Sequence, residues 1–493
     1  MKTYFKQVIL LFLINAWSLD TGIAQYHSGS EILGPDYSFQ TSMELSTAWA
    51  FEDREMPGVA TRGSNTVHVA TPTGEQEADR ASILNALDRA RPGNNIKFAP
   101  GTYLVGDLIS IDTPHLTLLG HPEGTTLRGC EASDFNAVGR TMVAFWSGKT
   151  DRDELNRTLS GCGLFELTGG HATIRNLTFE MAWSGLILGC CDRELVPRPT
   201  DGGYLIEGNT FRNIINGLRG LLWASDATVI RGNRFINTFH ALSAFGSRMH
   251  VLDNRIFAPE PSRISAIGYP GFAIGLGGGA IPGVANAVAI PCDGNVVSGN
   301  RIEGHPDGIS IVSLPGTTCR DNEIRENTIV SATPTFDPER HGQRFDVEEG
   351  GSTLITGVPL SLAFADLGGG FGGVEETVVE GNTIIGANGV AIELVRVSGN
   401  RISNNLIRGV ERRDPFPGNV LGPPPEWSTD INGAGIWISP GSDENEVTGN
   451  IFSDIAGDAV VVEGDRNMMK TNNAGDSVRD LGSENRVTHE EQE

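Results

Sequence analysis

The stretch VIRGNRF, from Val229 to Phe235, decides how the chain is read. In it an apolar residue, Ile230, is followed three places on by Asn233 and five places on by Phe235. The phrase returns as Ile206, Asn209, Phe211; Val251, Asn254, Ile256; Val297, Asn300, Ile302; and Ile324, Asn327, Ile329. Later copies are Val379, Asn382, Ile384; Ile402, Asn405, Ile407; and Val447, Asn450, Phe452. Ile174, Leu177, Phe179 looks like a first copy with Leu in the Asn slot. The Asn positions step by 24, 21, 46, 27, 55, 23 and 45 residues. The short steps give a unit of about two dozen residues, a period that means stacked repeats. The long steps read as two units, or as one with a large insertion.

The apolar residues of the phrase are β-branched or aromatic, spaced for short strands and punctuated by Gly and Asn. No helical periodicity of useful length is read after residue 91, which disfavours a helical solenoid. Asn tolerates the left-handed backbone needed for a sharp turn between strands, and its amide can hydrogen-bond to its copies above and below. A second strand often follows the phrase: Gly308 to Ile311, Gly389 to Leu394, Gly435 to Ile438 and Asp458 to Val462. Each unit is therefore one coil of a single-stranded parallel β-helix, an all-β solenoid.

Met1 to Ala24 carries Lys2 and Lys6, an apolar run and small residues before Gln25, the pattern of a secretory signal. Its apolar core is too short to span a bilayer, and no later segment is long enough. The expected location is secreted or periplasmic. Of 37 basic and 61 acidic residues, the signal would remove Lys2, Lys6 and Asp20, leaving 35 and 60, a net charge of −25. Such an acidic surface argues against nonspecific nucleic-acid binding. Residues 25–66 lack periodicity and read as an irregular arm. Ile83, Leu84, Leu87 and Ala90 then share one face of a helix near residues 77–91, stopped by Pro92-Gly93. Such a helix would cap the open end of a β-helix spanning 67–465. Strands are read at Asn95 to Phe98, Tyr103 to Val105 and Leu116 to Leu119, and a polar tail over 466–493.

The order helix, RPGNNIKFAPGTY (Arg91 to Tyr103), then LTLLG (Leu116 to Gly120), resembles the N-terminal entry of the pectin/pectate lyase-like β-helix superfamily. IRNLTF (Ile174 to Phe179) is similar to a strand phrase of those lyases. The resemblance implies a right-handed helix. For reaction type it is weak, since the superfamily holds lyases, hydrolases, epimerases and noncatalytic binders.

All six Cys follow the signal, consistent with an oxidising compartment. Cys292 lies five residues before Val297 and Cys319 five before Ile324, so the two share a phase. Adjacent coils stack about 4.8 Å apart, inside the disulfide window, and a Cys292–Cys319 bridge is expected. Cys130, Cys162, Cys190 and Cys191 allow three pairings, which stay open.

Chemistry in such a solenoid sits on outward positions and loops. The residue after the first six repeated Asn is Thr210, Arg234, Arg255, Arg301, Thr328 and Thr383 in turn. From Tyr204 to Arg263 seven Arg (212, 219, 231, 234, 248, 255, 263) face four acids, with His240 and His250 as well. Guanidinium groups suit bidentate contact with carboxylates, so the expected partner is an acidic, uronate-containing polysaccharide bound by a monomer. Arg219, Arg231, Arg301 and Asp307 are candidate binding residues. The alternative is that outward Arg only solubilise the strands and pair with neighbouring acids. His240, placed in a turn seven residues after Asn233, is a candidate proton-transfer group with Arg234 and Arg255. Asn216 and Asp307 hold the same slot in other coils.

The superfamily's catalytic patterns are mostly missing. HPDGISI (His305 to Ile311) supplies only Asp307 where hydrolases cluster several Asp, and Lys97, Lys149 and Lys470 all lie outside the central coils. Asp226 and Asp253, near Arg231 and Arg255, loosely match a Ca²⁺-binding pair, so Ca²⁺ is the candidate cofactor. TFDPERHG (Thr335 to Gly342) partly matches an epimerase motif. Pro259 to Pro291, Ser331 to Gly373 and Asp414 to Trp427 read as loops over the groove, with Phe416 and Trp427 as sugar-stacking candidates. Two functions follow: a lyase or epimerase abstracting the C5 proton of a uronate, or a noncatalytic glycan-binding or surface-structural β-helix.

Overall fold

The computed structural model describes residues 65–146, 150–159, 161–189, 202–220, 226–258, 272–279, 289–305, 307–330, 358–364, 372–412, 431–470 and 477–488. The expected signal and most of the expected arm lie outside them, as do the 335–342 motif, Phe416, Trp427 and Arg263. Fourteen three-residue strands, from Thr66–His68 to Arg486–Thr488, form one all-parallel sheet. A second run of parallel strands carries the rest of each coil. In Thr178–Leu188, Thr210–Gly220 and Arg234–Phe245 it turns a corner without breaking, and elsewhere it splits into a near and a far strand. Coil stacks on coil in strict register: Phe179, Phe211, Phe235, Ile256, Ile302, Ile329 and Ile384 occupy one file. All are buried in a single apolar column running the length of the stack. Phe179, Phe211 and Phe235 stack face to face within it, at 4.9 and 4.7 Å.

The repeated asparagines form a buried amide ladder. The Asn233 Oδ1 accepts from both the backbone N–H and the Nδ2 of Asn209, at 2.9 and 3.1 Å. The pattern continues through Asn254, Asn300, Asn327, Asn382, Asn405 and Asn450. Leu177 ends the column, donating its N–H to Asn209. Since Asn254 bonds directly to Asn300, Asn327 to Asn382 and Asn405 to Asn450, each long step is one coil with an insertion. The left-handed residue is not the ladder Asn but its predecessor, including Gly208, Gly232, Asp253, Glu326 and Asn404. The amide is there to stack, and the turn belongs to the residue before it. A second ladder, Asn295 to Asn322 and Asn400 to Asn445 to Asn467, runs along another corner and is interrupted by Thr377.

The capping helix, α1, spans Gln76–Arg89 and buries Ile83 and Ala86, while Leu84 faces outward at 36% exposure, against the expected face. Its Asp79 carboxylate accepts from the N–H groups of Thr73, Gly74 and Leu104, fastening the helix to the first coil. Two further helices, α2 (Ala132–Trp146) and α3 (Arg152–Leu159), correct the expectation of no helix beyond residue 91. They form one insertion closed at its base by a Cys130–Cys162 disulfide, Cα–Cα 4.7 Å. Phe135, Val138 and Met142, buried at helical spacing, were the available signal. The expected Cys292–Cys319 bridge is present, also at 4.7 Å. Cys190 and Cys191 lie outside the described residues.

Two expected loops contain strands, Phe272–Gly278 and Leu360–Phe364, which complete the far ladder. The glycines misled because they read as turn residues. Gly278 is there for close packing: a Cβ would meet the Ile290 carbonyl at 2.5 Å and the Cys292 sulfur at 2.6 Å.

Candidate functional site

The outward near strands bring three of the expected residues into one file. Thr210, Arg234, Arg255, Arg301, Thr328 and Thr383 are register partners on successive coils. The strand alternation that buries Phe235, Ile256 and Ile302 turns these neighbours outward, and all three arginines are exposed.

Three arginines of the window, Arg212, Arg231 and Arg248, are held in ion pairs, as are several on neighbouring coils. Arg128 and Arg212 sandwich the buried Glu180. Glu207 lies between Arg175 and Arg231, 2.6 Å from each, which places Arg231 on the other sheet in a charge pair rather than in the column. Arg248 faces Asp226 at 3.6 Å, and Arg301 pairs with Glu303 two places along its own strand. Neither the Arg234 nor the Arg255 side chain has a partner among the described residues. Coils are about 4.8 Å apart, so such neighbouring charges repel by up to about 1 kcal/mol in water. An anion lying between them would remove that cost. Beside them in the next outward file stand half-buried Ile236 and Phe257.

The far strands hold a different group. His240 lies within strand Arg234–Phe245 and not in a turn, 2% exposed, its ring stacked on Phe272 at 3.9 Å. Burial, with His305 and Arg219 nearby, pushes its imidazole well below the usual histidine range, so it is neutral. Arg219 is 1% exposed and lies 6.0 Å from the Trp183 ring. Asn216 and His240 are register partners, and Phe272 pairs with Asp307, whose Oδ1 accepts the Val358 N–H at 3.0 Å. The structure thus gathers His240 and Arg219 on the far strands with His305, which lies just before one, apart from the exposed arginine file. It also adds a buried residue the sequence reading missed: Glu393, 2% exposed, accepts the Ser361 hydroxyl at 2.7 Å. Glu393 sits in the apolar strand Val390–Val395, where only its place in the alternation marked it.

The pairing of Asp226 with Asp253 does not hold. Asp226 accepts the Ser247 N–H at 2.7 Å and faces Arg248. Asp253 occupies a different corner, as the left-handed residue before Asn254. Among the described residues no group of three or more His, Cys, Asp and Glu is placed to hold a metal ion. These two aspartates therefore do not fit a Ca²⁺ site. Among the same residues no helix is long and apolar enough to cross a membrane.

Residues 363–476 match the family model for the right handed beta helix region. The chain is a right-handed parallel β-helix. Solved structures similar to this β-helix include a PL6 alginate lyase in complex with a trisaccharide, at 14% identity and a TM-score of 0.46, covering 86% of this chain and 85% of that one. The Dettilon tailspike protein is similar at 13% identity and a TM-score of 0.44, covering 84% and 68%. The catalytic unit of an α-1,3-glucanase from Streptomyces thermodiastaticus is similar at 13% identity and a TM-score of 0.42, covering 86% and 68%. At such identities the likeness is one of fold. A search of curated protein sequences finds no match.

Proposed function

We propose that this β-helix is a secreted or periplasmic protein that binds an acidic polysaccharide along the outward near strands. The observation that carries the reading is the pair Arg234 and Arg255. They are exposed, on adjacent coils, and without side-chain partners among the described residues of a chain of net charge −24, while most described arginines around them are in ion pairs. Guanidinium groups left open on an otherwise acidic protein suit a carboxylate-bearing polymer. Phe257 and Ile236 offer apolar surface for the C–H faces of sugar rings. The two disulfides accord with an oxidising compartment.

Binding is favoured over catalysis because the candidate acid–base groups do not stand beside the open arginines. His240 and Arg219 are buried, and the Asp307 carboxylate accepts a backbone N–H. The second reading, a lyase or epimerase, draws on the grouping of His240, His305 and Arg219, where a neutral imidazole would be the base for the C5 proton.

Titrating the protein with pectate, alginate and a neutral glycan tests the binding reading. Arg234→Gln with Arg255→Gln is expected to weaken acidic-polymer affinity by about tenfold or more, one charge-assisted contact being worth about that much. Equal affinity of parent and double variant would refute it. Ultraviolet absorbance from an unsaturated product, abolished by His240→Gln, would establish the second reading instead.

A further inference from the structure

The outward file that contains Arg234 and Arg255 changes chemistry along the helix axis. Thr126, Thr178 and Thr210 precede the arginines, and Thr328 and Thr383 follow Arg301. Beyond these come Leu406 and Ile451, 38% and 52% exposed. The positive block is therefore three coils long, about 10 Å between its outer members. It is closed at both ends. At one end Arg301 is tied to Glu303, and at the other Arg212 is tied to Glu180 in the neighbouring outward file. Threonine hydroxyls can donate to and accept from sugar hydroxyls but neutralise no charge. A carboxylate placed over Glu303 meets repulsion and one over Thr328 gains no cationic partner in this file, while one over Thr210 has beside it on its own strand only Arg212, already bonded to Glu180.

Resting on the acidic-polysaccharide reading above, we propose that this face selects a short anionic block. Its ligand is a polysaccharide segment in which two or three consecutive sugar units carry free carboxylates. The flanking units are neutral or esterified, and lie over the threonines and then over Leu406 and Ile451. Charge beyond the block adds nothing, and charge spread out along the chain cannot engage Arg234 and Arg255 together.

The test uses uronate oligosaccharides of one length in four forms: neutral (fully esterified), three adjacent free carboxylates at the centre, three carboxylates separated by esterified units, and a carboxylate on each unit. Affinities are read by fluorescence anisotropy on the full protein. The central-block and fully charged oligomers are expected to bind within about twofold of one another, and the separated form about tenfold more weakly. A fully charged oligomer about tenfold tighter than the block, or a separated form as tight as the block, would overturn the proposal. The Thr210→Arg/Thr328→Arg variant lengthens the positive file. It should make the fully charged oligomer bind several-fold tighter than the block, and a variant that keeps the parent's ratio overturns it too. If no charged oligomer exceeds the neutral one, the acidic-polysaccharide reading itself fails, a result distinct from binding without block selectivity.

Discussion

Replacing Asn254 by alanine tests whether the amide ladder holds the coils in register. The Asn254 Oδ1 accepts the Asn233 backbone N–H and the Asn233 Nδ2, both at 3.0 Å. Its own Nδ2 donates to the Ile230 carbonyl at 2.9 Å and to the Asn300 Oδ1 at 3.0 Å. Alanine removes all four bonds and leaves two donors on Asn233, a residue with no exposed surface. Each orphaned buried donor costs about 1–3 kcal/mol, so the expected loss is about 2–6 kcal/mol. A water entering the vacated space would set the lower end. Asn254→Asp should do no better, because its second oxygen would face two acceptors and a charge would be buried. Thr448→Ala, an outward position, serves as the control and should stay within about 0.5 kcal/mol of the parent. Urea unfolding followed by far-ultraviolet circular dichroism gives the totals. Hydrogen exchange should quicken first around the coils of Asn233, Asn254 and Asn300, since each coil of a solenoid contacts only its neighbours. An Asn254→Ala loss below about 0.5 kcal/mol, in the range of ordinary surface changes, would refute the idea that stacked amides hold the stack.

Two further outcomes concern other parts of the fold. The Cys292→Ser/Cys319→Ser variant opens a loop of 27 residues, and loop-closure entropy predicts a loss of about 3–4 kcal/mol; thermal unfolding with no shift between parent and variant would contradict it. His115 and His171 stack at 4.9 Å, and burial together with His115 lowers the His171 imidazole from its ordinary 6.5. The native state thus takes up that proton less readily than the unfolded chain. The contribution is full above pH 6.5 and lost as pH falls from there through the lowered native value. His171→Asn, which tolerates the left-handed backbone at this position (φ 53°), should flatten the fall in melting temperature between about pH 7 and pH 5; an unchanged profile would remove His171 as its source.

Much of the fold was open to inspection in the chain itself. Each ladder position recurs at the same place in its repeat, so Asn209, Asn233 and Asn254 had to stack once the repeats did. The same logic placed Cys292 over Cys319. The second ladder is written in the chain as well, as Asn at a spacing of five in Asn295 and Asn300, Asn322 and Asn327, Asn400 and Asn405, and Asn445 and Asn450, with Thr377 breaking the run. The helices after Cys130 lie in an insertion, where the repeat gives no guidance.

The candidate site divides along the same line. That Arg234, Arg255 and Arg301 share an outward file follows from the period alone, because parallel coils in register bring equal positions together. Which of them stays uncompensated does not follow. It depends on Glu180, Glu207 and Glu303, each reached through one specific neighbour, and a repeat does not determine what its non-repeating side chains touch. His240 carries the same lesson: its alignment with Asn216 was countable along the chain. Its burial against Phe272 was set by a strand hidden in a glycine-rich stretch, because glycine marks a turn or a close contact equally well, and only the packed coils choose between them.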